Sequence, residues 1–231
     1  MTINDINNLV IKQRDCDLKL HRWKTWEANT PFAPNIDVAI YVDNLEIDTA
    51  NNLLDLIIKN NVGPYKDRAW EKYNLFQWKD DCILELKDYI WKMYCDYCSS
   101  IDVEIYPRNY IWIRGWAVKL EEEENIGMHS HSLHENTFVS GNISLTENDT
   151  TTDYWIPLFS LYHGTYNCSN RPGRIAMFPS WVQHGVNPNC SGKVRYSMAF
   201  DLFTQKSIDY VTENNTEETE QGKLILLSVP L

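Results

Sequence analysis

The amino-acid sequence predicts a mainly β, α+β fold in which a helical support layer precedes a β-sandwich or jelly roll. Three observations carry this expectation. Two segments before residue 100 place apolar residues at helical spacing. From there to about residue 203 the chain breaks into short strand-forming runs separated by turns. Thirteen Tyr and nine Trp suit pleated surfaces and a pocketed interior.

The first 35 residues are polar and mixed, with Trp23 and Trp26 as anchors. Residues 37–45 (DVAIYVDNL) read as a strand. Over 47–60, Leu53, Leu54, Ile57 and Ile58 recur at helical intervals, and the segment 61–64, ending Gly63-Pro64, stops that helix. A second amphipathic helix covers 79–97 through Ile83, Leu84, Leu86, Ile90, Trp91 and Tyr94. Strands are expected at 102–106, 109–120, 137–146, 152–158, 173–178, 183–187 and 194–203. The acidic stretch TENNTEETEQ reads as a mobile tail, and 223–229 (KLILLSV) as a returning edge strand. With no internal repeat or linker, the 231 residues are expected to form one domain: support region 1–100, β core 101–203, tail 204–231.

Charge and composition narrow the function classes. A net charge of −11 repels phosphate backbones and disfavours duplex nucleic acid as a partner. No run of 18 apolar residues is present, and the N-terminal segment lacks the apolar stretch of a secretory signal. A cytoplasmic protein with six free thiols is the expectation. Cys95-Asp-Tyr-Cys98 has no second pair to close a zinc site and reads as core thiols.

Of six histidines, three lie within His129-Ser-His131-Ser-Leu-His134-Glu135. Residues i and i+2 of a strand share a face about 6.6 Å apart, so His129 and His131 could aim both rings at one metal ion. Such a pair is a weak signal alone. His184, in GRIAMFPSWVQHGVNPN, strengthens it, because the Pro-Gly and Pro-Ser turns return the chain to a sandwich mouth where ligands bind. Ligands on one face of an iron ion leave positions open for further groups, whereas a structural zinc site is closed by four. Eleven residues on, Arg195 and Ser197 share a strand face, and a guanidinium beside a hydroxyl can hold a carboxylate.

These segments resemble the phage and bacterial 2-oxoglutarate/Fe(II) oxygenases. The match runs over GMHSH, FVSGNISL, GRIAMFPSWVQHGVNPN and VRYSMAFDLF, roughly residues 105–203. The resemblance implies a double-stranded β-helix, Fe(II) and 2-oxoglutarate. His129 would be the first ligand and His184 the distal one, while Arg195, assisted by Ser197, would take the distal carboxylate of 2-oxoglutarate. The wider superfamily has Asp or Glu two residues after the first histidine, where this chain has His131. Counted back from Ser140-Gly141, His134 occupies the second position, and Glu135 is the nearest carboxylate. His131 is preferred because it keeps the i, i+2 geometry. Three neutral imidazoles would leave the iron its full charge.

Asn142 is expected to touch the keto acid, and Trp116, Tyr154 and Trp181 to line the substrate mouth. The activity implied is an oxygenase coupling 2-oxoglutarate decarboxylation to oxidation of a small molecule or peptide by dioxygen, in the host cytoplasm if the chain is viral. Two rivals remain: a cupin-like metal enzyme without 2-oxoglutarate, and a non-enzymatic jelly roll with incidental histidines.

Overall fold

The computed structural model describes residues 19–24, 30–32, 36–67, 69–104, 110–132, 137–156, 164–213 and 224–228. In chain order these form β1 (Leu20–Lys24), β2 (Asp37–Asn44), helix α1 (Ile47–Lys59), a short turn of helix α2 (Ala69–Lys72) and the long helix α3 (Asp81–Ser100). The β region follows: β3 (Ile111–Leu120), β4 (Ile126–His129), β5 (Val139–Ser144), β6 (Thr151–Trp155), β7 (Thr165–Ser169), β8 (Arg174–Pro179), β9 (Gln183–Val186) and β10 (Arg195–Thr204). Helix α4 (Gln205–Glu213) and β11 (Ile225–Ser228) end the described chain.

Two antiparallel sheets result. The major sheet has the order β1-β2-β8-β5-β10-β3-β11, and the minor sheet β4-β9-β6-β7. This is the double-stranded β-helix expected. Strands drawn from distant parts of the sequence are neighbours, so residues far apart in the chain come to face one cavity.

The burial pattern explains the layering. One face of the major sheet (Ala39, Tyr41, Ile113, Ala117, Ile143, Ile175, Met177, Met198 and Phe200) packs against Leu53 and Ile57 of α1 and Ile83, Leu86, Ile90 and Tyr94 of α3. The opposite face meets the minor sheet in two clusters. Val38, Ile40 and Phe178 join Tyr154, Tyr166 and Val182 in one, and Trp116, Val118 and Leu120 join Ile126 and Val186 in the other. Between these clusters the inter-sheet space is lined by polar side chains.

The structure departs from the sequence expectations in several places. Residues 101–104 are a turn and coil rather than the start of a strand, and Asp102 has a φ of 58°. Leu20–Lys24 adds a strand pairing with β2, and Thr165–Ser169 one pairing with β6, where the sequence suggested neither. Their polar residues hide the alternation that identifies a strand. Residues 205–213 form α4, inside a segment read as tail. The returning strand 225–228 does pair at the sheet edge, on β3. Cys82, Cys95, Cys98, Cys168 and Cys190 are all free thiols.

Candidate metal centre

The site is assembled by both sheets. On the minor sheet, His129 ends β4 and is the cross-strand partner of His184 on β9, which is in turn paired with Tyr154 on β6. Antiparallel pairing places both imidazoles on the same face, with ring centroids 4.4 Å apart. His131 lies beyond the end of β4, so the shared-face strand geometry expected for 129 and 131 does not operate. Its backbone N–H instead donates to Ser180 O (2.9 Å), and its ring reaches Asp201 of the major sheet. That path brings the ring to 5.4 Å from His129 and 5.0 Å from His184. One ring nitrogen from each of the three lies within 4.8 Å of the other two. His134 and Glu135 fall outside the described residues.

The partners of the rings fix their tautomers. His129 Nδ1 sits 2.9 Å from Gly127 O, His184 Nδ1 3.0 Å from Val182 O, and His131 Nδ1 2.5 Å from Asp201 Oδ1. Carbonyl and carboxylate oxygens only accept, so each Nδ1 carries the hydrogen and Nε2 keeps the lone pair that binds metals. Burial, reinforced by the neighbouring rings, holds His184 well below the ordinary imidazole range, and burial lowers His129 as well. Both therefore stay neutral, the form in which imidazole is a ligand.

The opposite wall comes from the major sheet. Along β10, Arg195, Ser197, Ala199 and Asp201 point into the cavity by strict alternation, while Met198 and Phe200 belong to the helix-side core. Arg195 Nη1 donates to Ser197 Oγ at 3.0 Å, the shared face the spacing predicted. Arg195 is only 3% exposed, and among the described residues no carboxylate pairs with it; its Nε has no hydrogen-bond partner. Burial lowers its pKa to about 10. A buried cation in this condition calls for an anionic ligand. Asn142 on β5 also lines the cavity, with its Nδ2 donating to Tyr154 Oη at 2.7 Å.

The cavity encloses about 230 Å³. Tyr65, Arg114 and Trp116 also line it, and the Trp116 and His131 ring centroids are 5.6 Å apart. Two aromatic residues expected to line the substrate mouth lie elsewhere. Tyr154 is 0% exposed behind His184, because the register of β6 turns Thr152 and Tyr154 inward, and Trp181 packs against the Val38–Phe178 cluster. Neither lines the cavity.

Asp201 escaped the sequence reading, although it lies in VRYSMAFDLF, one of the segments that carry the resemblance. Besides His131 it accepts from Ser140 Oγ (2.6 Å) and faces Arg114 Nη2 (3.3 Å). Burial alone would push its carboxyl up. His131, Arg114 and Ser140 overrule burial and hold it well below the usual carboxylate range.

Residues 160–201 match a family model described as "Putative 2OG-Fe(II) oxygenase". Among solved structures, the chain is similar to a Pseudomonas putida prolyl-4-hydroxylase at 12% identity and a TM-score of 0.53, over 71% of this chain and 91% of that one. It is also similar to HygX from Streptomyces hygroscopicus with nickel and 2-oxoglutarate bound, at 10% identity and a TM-score of 0.50, over 72% and 82%. At these identities the likeness establishes the fold. A comparison with curated proteins gives no match.

Proposed function

We infer that the chain is a non-haem Fe(II), 2-oxoglutarate-dependent oxygenase, in keeping with its family match and its double-stranded β-helix. The observation that carries this inference is the pairing, in one cavity, of three pinned imidazoles with a buried guanidinium that has no carboxylate partner among the described residues. The donor set suits a divalent iron ion, and the orphaned Nε of Arg195 suits a carboxylate.

In this reading His129, His131 and His184 would hold the iron through Nε2. When bound, iron and 2-oxoglutarate supply the oxidative decarboxylation that drives oxidation of a substrate by dioxygen. The chain's own residues do the rest. Arg195 and Ser197 take the distal carboxylate of 2-oxoglutarate with a guanidinium fork and a hydroxyl. Asn142, braced on Tyr154, borders the same space and limits how the keto acid lies. Phe178 stands edge-on to His184 at 4.7 Å, and with Tyr154 it keeps water from the ring's buried side.

The cavity volume lies below the range of about 300–1,000 Å³ typical of small-molecule pockets. With 2-oxoglutarate inside, only the reacting end of a substrate enters, and the remainder rests outside the cavity. A small molecule or a peptide side chain meets that requirement. The described residues include no helix long and apolar enough to cross a membrane. A cytoplasmic setting, that of the host if the chain comes from a phage, fits the free thiols.

The three-histidine donor set also suits a cupin-like metal enzyme that does not use 2-oxoglutarate, and the two readings part at Arg195. Iron-loaded protein given 2-oxoglutarate in air is expected to release succinate, and Arg195→Ala to abolish that release. An iron-loaded protein that oxidises a substrate with Arg195→Ala as active as the parent supports the cupin reading instead. No succinate from iron-loaded parent protein defeats the proposal.

A further inference from the structure

The metal centre as drawn has no carboxylate among its ligands, yet a buried carboxylate stands directly behind one of them. We propose that Asp201 is the positioning residue of the metal centre: it accepts the Nδ1 hydrogen of His131, fixes which ring nitrogen meets the metal, and supplies from one shell out the negative charge that an Asp or Glu ligand would supply directly. This goes beyond the ligand assignment above and rests on it.

Four features of the structure support this role. The His131 Nδ1–Asp201 Oδ1 contact, at 2.5 Å, is the shortest of the three that pin the imidazoles, and the only one of the three to a charged acceptor. Asp201 is 5% exposed, so its charge acts through little screening water. The carboxylate is itself held on a built support. Ser140, its cross-strand partner on β5, donates to it, and Ser140 Oγ lies 2.8 Å from Ser180 Oγ. The turn that contains Ser180 also grips His131, through Ser180 O and the His131 N–H. One turn thus holds His131 directly and reaches Asp201 through Ser140. Finally, His131 is the ligand without a strand to orient it, and so it is the ligand that needs an external brace.

A carboxylate that accepts a hydrogen bond from a metal-bound imidazole raises the basicity of the nitrogen facing the metal, and loss of such a partner typically weakens metal binding about 10–100-fold. It also returns part of the charge compensation that three neutral imidazoles lack. Arg114, at 3.3 Å from the other oxygen, balances the carboxylate in the metal-free protein and is itself part of the cavity lining.

The test uses Co(II) alone as the probe, in full-length protein without oxygen. Asp201→Asn, which keeps the side-chain shape, is expected to raise the Co(II) dissociation constant about 10–100-fold and to shift the Co(II) ligand-field bands. In a His131→Asp background the carboxylate sits at the metal position and Asp201 becomes a like-charged neighbour. There, Asp201→Asn is expected to cost nothing or to tighten binding. A readout independent of any variant comes from the Zn(II)-loaded parent, whose His131 Nδ1 proton is expected as a strongly downfield resonance bonded to nitrogen. A folded Asp201→Asn variant with parental Co(II) affinity and bands overturns the proposal, as does the absence of that resonance. If Asp201→Asn does not fold, the resonance decides. Should the parent bind no Co(II), the ligand assignment itself falls and this inference with it.

Discussion

At the scale of single residues, the arrangement turns on which groups are kept charged and which neutral. His129 and His184 are pressed towards the neutral form, largely by burial, from an ordinary value of 6.5. The unfolded chain takes up protons as pH falls through about 6.5, and the folded chain resists until lower pH. The metal-free protein therefore keeps its full stability above 6.5 and loses part of it as pH falls below. Thermal melts of the metal-free parent are expected to show this drop between about pH 7 and 5.5. His184→Gln, which removes the larger of the two contributions, should flatten it; equal slopes would contradict the burial argument. Arg195 makes a second residue-level prediction. Lysine in its place keeps the charge and loses the planar fork, so Arg195→Lys should raise the KM for 2-oxoglutarate roughly 10–100-fold, the cost of a charged hydrogen bond. Metal affinity should stay within about threefold, because Arg195 contributes no ligand in this account.

At the scale of elements, two motifs of the family resemblance prove to be one object. Ser140-Gly141 on β5 pairs in register with Phe200-Asp201 on β10. Ser140 donates to Asp201, and Gly141 makes room for the Phe200 ring. A Cβ at 141 would stand 2.2 Å from Phe200 Cζ and 2.6 Å from Ala176 O, the latter a backbone atom in the next strand that cannot swing aside. Gly141→Ala is therefore expected to destabilise the protein by about 1–3 kcal/mol through overpacking, and to weaken metal binding by displacing Asp201. Chemical denaturation checks the first effect and Co(II) titration the second.

The same elements show what the sequence could and could not convey. The alternation of Arg195 and Ser197 on one strand was legible, because period two is a local property. So were α1 and α3, whose apolar spacing survives without tertiary context. The approach of His131 was not. It depends on a turn 49 residues later and on the register between β10 and β5, neither of which one segment encodes. Asp201 was hidden for the same reason: an aspartate inside a strand reads as an ordinary polar position until its cross-strand partners are known. Tyr154 was misplaced because residues 152–158 were seen to form a strand but the face turned inward was not.

At the scale of the whole molecule, the centre ties the two sheets together. His129 and His184 belong to the minor sheet, while Arg195, Asn142 and Asp201 belong to the major one, and His131 spans the gap. A metal ion held by all three imidazoles would staple layers that otherwise meet through their apolar clusters. Metal at 100 times its dissociation constant should add about 2.7 kcal/mol of stability, which for a chain of this size raises the melting temperature by roughly 5–10 °C. Calorimetry of metal-free and Zn(II)-loaded protein measures that shift, and none is expected for His184→Ala. Net charge acts at this scale too. At −11 the molecule should not retain duplex DNA at physiological salt, and a gel-shift experiment checks this.

All of this turns on one cavity that would bring iron, held by three imidazoles, next to 2-oxoglutarate, held by Arg195. Its most direct test is an anaerobic titration of the protein with Fe(II) and then 2-oxoglutarate, followed by visible absorbance. A charge-transfer band is expected that saturates near one equivalent of each, is lost in His184→Ala, and needs far more 2-oxoglutarate in Arg195→Lys. No band in the folded parent protein, or an undiminished band in His184→Ala, would contradict it.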